Sequence, residues 1–380
     1  MSKEWEIDPI NLFAWLNAIP LYPKIFWSGR NQKRAIAAVG ISSLNNESNM
    51  RFGWRHFMPT TEREWGDFAP SFFFVPRFEV IHENNHFIFR NNSDDSSIFS
   101  LFKKQEFFNN SSIQIQNCSS LPIKNQWIDQ VGKSINAIQN QQFEKIVMAR
   151  RVTIDCTTPI DSIALCQSLY AVNQTVFFIQ PTPTSAFLGA TPEMLFERRG
   201  QEIRCDALAG TRQLHQTDEL FNSKKDLREF LIVQKRIIEA LTPLCSSTPT
   251  ATQPKICPAS YICHIYSQIV GNLQHKMLDE ALLDLLHPTP AVGGYPSKNA
   301  LDYLMKSEPF ARGLYAAPIG WTSPESADFA VGIRSCLIQS KRAYLYAGTG
   351  IVEGSDPLLE WEETKHKLAK WNHFFGNFDE

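Results

Sequence analysis

Residues 329–375 read FAVGIRSCLIQSKRAYLYAGTGIVEGSDPLLEWEETKHKLAKWNHFF, and the hydrophobic period changes half-way along. Phe329 to Val352 has strand character, ending in the glycine pair of Ala347-Gly348-Thr349-Gly350. After Pro357 the chain reads as an amphipathic helix. The same two signals recur upstream. Ser223 to Leu241 predicts a helix, with good helix formers, no glycine or proline, and apolar residues at Leu227, Phe230, Leu231, Val233, Ile237 and Ile238. Thr175 to Phe196 is strand-rich but broken by Pro181 and Pro183, and Lys145 to Cys156 (KIVMARRVTIDC) is β-branched and partly alternating. Strands and helices mixed without a regular β-α-β rhythm predict an α+β fold rather than a doubly wound sheet. Two polar stretches, 92–120 and 246–260, predict surface excursions or flexible connections.

Composition excludes several function classes. The chain has 380 residues, 43% of them hydrophobic, which is ample for a large core. A net charge of −2, with both signs interspersed, leaves no basic stripe for nucleic acid. Eight cysteines without a C-x-x-C pair predict reduced thiols rather than a disulfide framework or zinc site. The first twenty residues do not resemble a signal peptide, and no stretch of about 18 apolar residues could span a membrane. A cytoplasmic globular protein is expected. Neither a Gly-x-Gly-x-x-Gly turn nor a Walker-type lysine loop is present, so nucleotide binding has no support.

The last helix offers Glu360, Glu363 and Lys367 on one face, and the earlier helix offers Asp226 and Glu229, again three apart. Paired carboxylates on two helices could hold a hard divalent cation such as Mg²⁺. On spacing alone, solvated surface faces are the commoner explanation. Gly348 and Gly350 could let a carboxylate approach backbone N–H groups, or could simply mark a tight turn. His287 opens a loop of two prolines and two glycines, HPTPAVGG, and is placed to donate a hydrogen bond, although a lone histidine is more often structural. Lys145, against an apolar strand, must snorkel or enter a polar pocket, where burial would push it toward a general base. Glu193, just before Met194-Leu195-Phe196, would respond in the opposite sense and keep a proton to donate.

Together the segments FEKIVMARR, FLGATPEMLFER, ALAGTR, KKDLREFLIV, LLHPTPAVGG, EPFARGLYAAPIGW, IRSC and AGTGIVEGSDPLLEWEETKHKL resemble, in this order, the signature blocks of the chorismate-utilising enzymes. That group includes isochorismate, salicylate, anthranilate and aminodeoxychorismate synthases. The blocks occupy residues 140–380; residues 1–120 are less typical, although PLYPKIFWSGR resembles the opening of menaquinone-pathway isochorismate synthases. The resemblance implies one α+β domain over residues 1–380, with two packed antiparallel sheets flanked by helices. It implies Lys145 as the base that activates water and Glu193 as the acid that protonates the departing hydroxyl. Glu229 and Glu363 would be Mg²⁺ ligands, with Asp226 and Glu360 holding metal-bound waters. Gly210, Thr211, His287, Arg334, Gly348, Gly350 and Lys367 would receive chorismate. One departure stands out: the family usually has His after the first metal glutamate, where this chain has Phe230. That puts a contact behind the ligand in doubt, but not the ligand.

Within the family the expected activity is isochorismate synthase, serving menaquinone biosynthesis. A lysine at 145 argues for water rather than ammonia as nucleophile. Ala209 departs from the Pro-Ile-Lys-Gly-Thr of aminodeoxychorismate synthases, and no glutamine amidotransferase subunit is expected. Salicylate synthase is the alternative, since it shares the lysine; a non-catalytic chorismate-binding paralogue is a further one.

Overall fold

The computed structural model describes residues 2–30, 32–44, 48–94, 113–170, 174–259 and 262–378. Every strand pairing among them is antiparallel, and the strands form two sheets. The first runs Lys3–Ile7, His86–Asn91, Ser71–Glu83, Arg34–Ser43, Lys24–Ser28, Thr175–Thr182, Ser185–Thr191, Ser335–Gln339, Arg342–Ile351 and Lys145–Cys156. Beyond Lys145–Cys156 lie Ile115–Leu121 and the short Gly294–Tyr295. The second sheet runs Arg51–Arg55, Pro318–Thr322, Ser326–Val331, Met194–Arg199, Glu202–Gln213 and Ile262–Asn272, with Thr250–Ala251 and Lys255–Ala259 along its edge. Ser71–Glu83 joins the two. Its first residues pair with Arg51–Arg55, and from Val75 onward it pairs with Arg34–Ser43.

Side chains alternate across a strand, and the core follows that alternation. In Arg34–Ser43, Ile36 and Ala38 enter a cluster that also holds Phe52, Trp54, Phe196 and Phe329 of the second sheet. Ala35, Ala37 and Val39 point the other way, into a layer closed by Leu12, Trp15 and Leu16 of the Leu12–Ala18 helix and Leu165 of the Ser162–Leu169 helix. The first sheet is therefore buried on both faces, which is why its strands read as nearly continuous apolar runs.

The expected helix over 223–241 spans Lys224–Leu241, with Ser223 Oγ accepting the Asp226 N–H as its cap. Leu231 departs from the expectation: it is exposed, while Ala240 and Leu241 complete the buried stripe. The last helix spans Pro357–Leu368, capped by Asp356. Two readings of polar segments need correction. The stretch 246–260 carries two edge strands, its missing hydrophobicity reflecting exposure rather than lack of structure. Of the stretch 92–120, the part from Ile115 onward belongs to the strand Ile115–Leu121, which pairs with Lys145–Cys156, and 95–112 lie outside the described residues.

Candidate active site

The site forms where the Arg342–Ile351 strand runs past its neighbour Ser335–Gln339, whose pairing stops at Leu345. Gly348 gives its carbonyl to Lys367 Nζ at 2.8 Å, so this peptide edge faces away from the Lys145–Cys156 strand; Gly350, two residues on, shares it. A side chain on either glycine would displace a neighbour here. A Cβ on Gly348 would lie 2.8 Å from the Tyr315 hydroxyl oxygen, and one on Gly350 would collide with Glu229 Oε1 and lie 3.0 Å from Lys145 Cε. A pocket of about 650 Å³, including its open mouth, lies against this edge. Its walls are apolar at Val147, Leu208, Val292 and Tyr346, and polar at Glu193, Thr211, Glu229, His264, Arg334 and Lys367.

Four carboxylates gather beside it, and each is tied to one cation. Glu229 Oε1 lies 3.0 Å from Lys145 Nζ, and Glu363 Oε1 lies 2.6 Å from Lys367 Nζ. Glu360 Oε1 lies 2.5 Å from Lys225 Nζ, and Asp226 Oδ2 lies 2.8 Å from Arg212 Nε. Thr349 Oγ1 approaches Glu360 at 2.5 Å and Glu363 at 2.9 Å, so the two acids of the last helix meet at one hydroxyl. Burial pushes both upward. At Glu363 the Lys367 ammonium, the Lys225 charge and Thr349 outweigh it, and its carboxyl falls to about 2. Glu360, facing the negative Glu363, stays raised despite Lys225. The Lys225 ammonium feels Glu360, Glu363 and Glu229 at once, and is pushed up to about 12 against its own burial.

Glu193 is 4% exposed, and burial followed by the charge of Asp206 raises it to about 8, against the pull of Lys145, Arg30 and Lys367. It is therefore largely protonated at neutral pH. Lys145 has a fully buried side chain, and among the described residues its Nζ has no well-directed hydrogen bond in spite of the nearby Glu229. Arg334, at φ +54° in the break between two strands, is pushed down to about 10 by burial and so keeps its charge. Its carbonyl takes Lys370 Nζ at 2.7 Å, while no hydrogen bond engages its guanidinium among the described residues.

Gly210, at φ +69°, forms a bulge between Ala209 and Thr211 that only glycine adopts without strain, and a Cβ there would come within 3.2 Å of Asp226. The bulge brings its carbonyl to 3.2 Å from His264 Nδ1, beside Thr211 Oγ1 at 3.1 Å; a carbonyl only accepts, so the bond to Gly210 places the ring proton on Nδ1. Burial and the charges of Arg334 and Lys367 push His264 down to about 3, so the ring is neutral, and its Nε2 is an acceptor with no partner among the described residues.

A family model described as chorismate binding enzyme matches residues 41–375. The chain belongs to the chorismate binding enzymes. Among relatives in this family, the chloroplastic isochorismate synthase of Catharanthus roseus is 36% identical over 67% of this chain and 46% of its own length. The isochorismate synthase MenF of Bacillus subtilis is 36% identical over 64% of this chain and 54% of its own length. The chain thus spans about half the length of these relatives. The solved structure of MenF, the menaquinone-specific isochorismate synthase from Escherichia coli, superposes with a TM-score of 0.88 at 23% identity, covering 98% of this chain and 94% of that one. The α+β fold with two antiparallel sheets is therefore that of a known chorismate-utilising enzyme.

The structure brings most of the sequence-selected residues to this one region of the fold. Glu193, Thr211, Glu229, Arg334, Gly348, Gly350 and Lys367 line the pocket. Asp226, Glu360 and Glu363 line an adjoining cleft that shares Thr211. Lys145 is not itself a lining residue; it lies behind Gly350 and Glu229. Gly210 stands behind the wall through its bulge. His287 also does not line the pocket: it packs edge-on against Phe57 at 5.6 Å, and it is Ala291 and Val292 of its loop that reach the ligand space. Phe230 is buried in the core. Sequence reasoning missed His264, Tyr315 and Lys225. Tyr315 lies inside the EPFARGLYAAPIGW block and Lys225 inside KKDLREFLIV, so both could have been drawn from the resemblance; His264, alone in an apolar strand, gave no signal.

Proposed function

We propose that this chain is an isochorismate synthase that adds water at C2 of chorismate with loss of the C4 hydroxyl, acts in the cytoplasm and serves menaquinone biosynthesis. The observation that carries this reading is a pair of opposites about the pocket: a buried carboxyl that keeps its proton, Glu193, in its wall, and a fully buried amine with no directed hydrogen bond, Lys145, just behind Gly350. Lys145 is assigned the proton of the attacking water, and Glu193 protonates the oxygen leaving C4 as the ring double bonds shift between the two carbons. Lys145 ends with one proton more and Glu193 with one fewer, and no covalent intermediate is needed. Arg334 and Lys367, with the Gly348 and Gly350 amides, are the groups suited to the substrate carboxylates, and Thr211 and His264 Nε2 to its hydroxyl.

Mg²⁺ is the proposed cofactor. Among the described residues no three potential ligands converge into a ready metal cage. The donor set nevertheless fits a hard cation: Glu229 and Glu363, with Asp226 and Glu360 beside them, are all oxygen ligands, and the Lys225 ammonium stands among three of the four charges. When bound, the ion would neutralise the ring carboxylate and draw electron density from the diene. Glu229 is the ligand expected on the helix Lys224–Leu241, and Glu363 on Pro357–Leu368.

Product analysis with chorismate, Mg²⁺ and no ammonia tests the reading. Isochorismate is expected, its new hydroxyl oxygen coming from labelled water. Lys145→Ala and Glu193→Gln should each lower turnover on the order of 10²–10⁴-fold with far less effect on affinity. Near-normal turnover in both would refute the assigned roles. Pyruvate and salicylate appearing in step with chorismate loss would make the chain a salicylate synthase instead.

A further inference from the structure

Glu193 has no helix to fix it. It lies in the short link between the strands Ser185–Thr191 and Met194–Arg199, a place where a backbone usually retains freedom. Here the peptides on both sides of it are held by one ion pair, between a half-buried Arg30 and a buried Asp206. Arg30 Nη2 donates to the Pro192 carbonyl at 2.5 Å and also pairs with Asp206 Oδ2. The same Asp206 oxygen accepts the Met194 N–H at 3.2 Å. Asp206 is 2% exposed, and the Tyr266 ring lies 5.7 Å from the Arg30 guanidinium, covering the pair from the second sheet. Arg30 comes from the loop after Lys24–Ser28 and Asp206 from the middle of Glu202–Gln213, so two distant chain segments are used to fix three residues.

We propose that Asp206 and Arg30 are a positioning pair for the general acid: they clamp Pro192 and Met194 and thereby aim the Glu193 carboxyl into the pocket. The inference rests on the acid role proposed for Glu193 above. A guanidinium suits the task, since its Nη2 carries two N–H groups held in a fixed plane, one for the Pro192 carbonyl and one for Asp206. The pair also acts through its charges. The Asp206 charge favours the protonated form of Glu193 while Arg30 opposes it, and the Tyr266 side chain bears on both partners. The two partners therefore have opposite electrostatic effects on Glu193 but the same geometric one.

That contrast makes the test specific. Turnover would be measured against pH for wild type, Asp206→Asn, Arg30→Met and Arg30→Lys, with thermal melting to count folded enzyme. Loss of either partner should lower kcat per folded molecule by roughly 10–10²-fold, with KM changed only a few-fold, as expected of a misplaced catalytic group. The basic limb of the kcat profile should move to lower pH in Asp206→Asn and to higher pH in Arg30→Met. Arg30→Lys should restore the position of the limb but only part of kcat. A purely structural pair would lower the melting temperature in all three variants and leave the limb in place, which would overturn the proposal. Infrared titration of the Glu193 carboxyl, assigned by its disappearance in Glu193→Gln, gives a readout independent of turnover. If that titration moves in opposite directions in the two variants but wild type makes no isochorismate, the reaction assignment falls and the clamp stands. If isochorismate forms but the titration does not move, the clamp falls alone.

Discussion

Lys145 Nζ and Glu229 Oε1 meet at 3.0 Å in the space that Gly350 leaves by having no side chain. The contact joins a strand residue to a helix residue across the tip of a third element. Replacing Gly350 should therefore disturb this contact directly. In Gly350→Ala the new methyl collides with the Glu229 carboxylate and stands 3.0 Å from Lys145 Cε, so one or both must move. Displacing a base or a metal ligand by about 1 Å typically costs on the order of 10²-fold in rate. Turnover should fall by about that factor, with the secondary structure seen by circular dichroism unchanged.

Glu193 predicts a cost in stability for keeping its proton. Unfolded, a glutamate ionises near 4.5; in the fold burial and Asp206 hold it at about 8. Between those values the unfolded chain has released a proton that the native one retains, so stability falls as pH rises from 4.5 to 8 and the full cost is present above 8. Its upper bound is about 4–5 kcal/mol for a shift of that size. Glu193→Gln removes this ionisation. The variant should melt higher than wild type at pH 8, and the gap should close as pH falls toward 4.5, even though it has lost turnover. Equal melting temperatures at pH 8 would contradict the burial argument.

Much of the fold was legible because its signals are local. The Ser223 cap and the stripe of Phe230, Val233 and Ile237 define a helix from sequence alone. Lys145–Cys156 reads as a strand because its residues suit a sheet buried on both faces. Thr250–Ala251 and Lys255–Ala259 were missed because an edge strand facing solvent needs neither hydrophobicity nor alternation, and Pro258 argued against a strand. The carboxylates Glu229 and Glu363 and the lysines Lys145 and Lys367 could be selected from spacing and resemblance, but not which cation each acid meets, nor Lys225 beside Glu360. The partners Lys145, Lys225 and Lys367 reach them across different elements or along one turn, and nothing local distinguishes Lys225 from its neighbour Lys224. His264 and Asp206 were equally silent, since each acquires its meaning from a residue more than fifty positions away in sequence, at Gly210 and Arg30 respectively.

The whole chain is proposed to unfold as one domain. One buried cluster contains Ile25, Trp54, Trp127, Phe187, Phe329 and Trp361, drawn from both sides of residue 120. Cutting the chain there would expose members of this cluster on both pieces. Calorimetry should therefore give a single transition whose calorimetric and van't Hoff enthalpies agree. Two resolved transitions, or a stable proteolytic fragment beginning near residue 120, would contradict this.

Lys225 supplies the last prediction, because its ammonium competes with the cation proposed for the same acids. It is paired with Glu360 at 2.5 Å and feels Glu363 and Glu229 as well. A ligand that binds only the native state raises its melting temperature, by an amount that grows with the logarithm of its concentration over its dissociation constant. Mg²⁺ should stabilise wild type, and chelation should reverse the gain. In Lys225→Met the metal-free protein has lost the counter-charge of a buried glutamate, so it should melt lower than wild type. The rise on adding Mg²⁺ should then be larger than in wild type, since the ion no longer has an ammonium to displace. Glu229→Gln and Glu363→Gln should each abolish most of the rise in both backgrounds. An equal Mg²⁺ effect with and without Lys225 would show that the ammonium and the metal do not share a site, and no effect of the metal in any background would remove these acids from the cofactor's binding set.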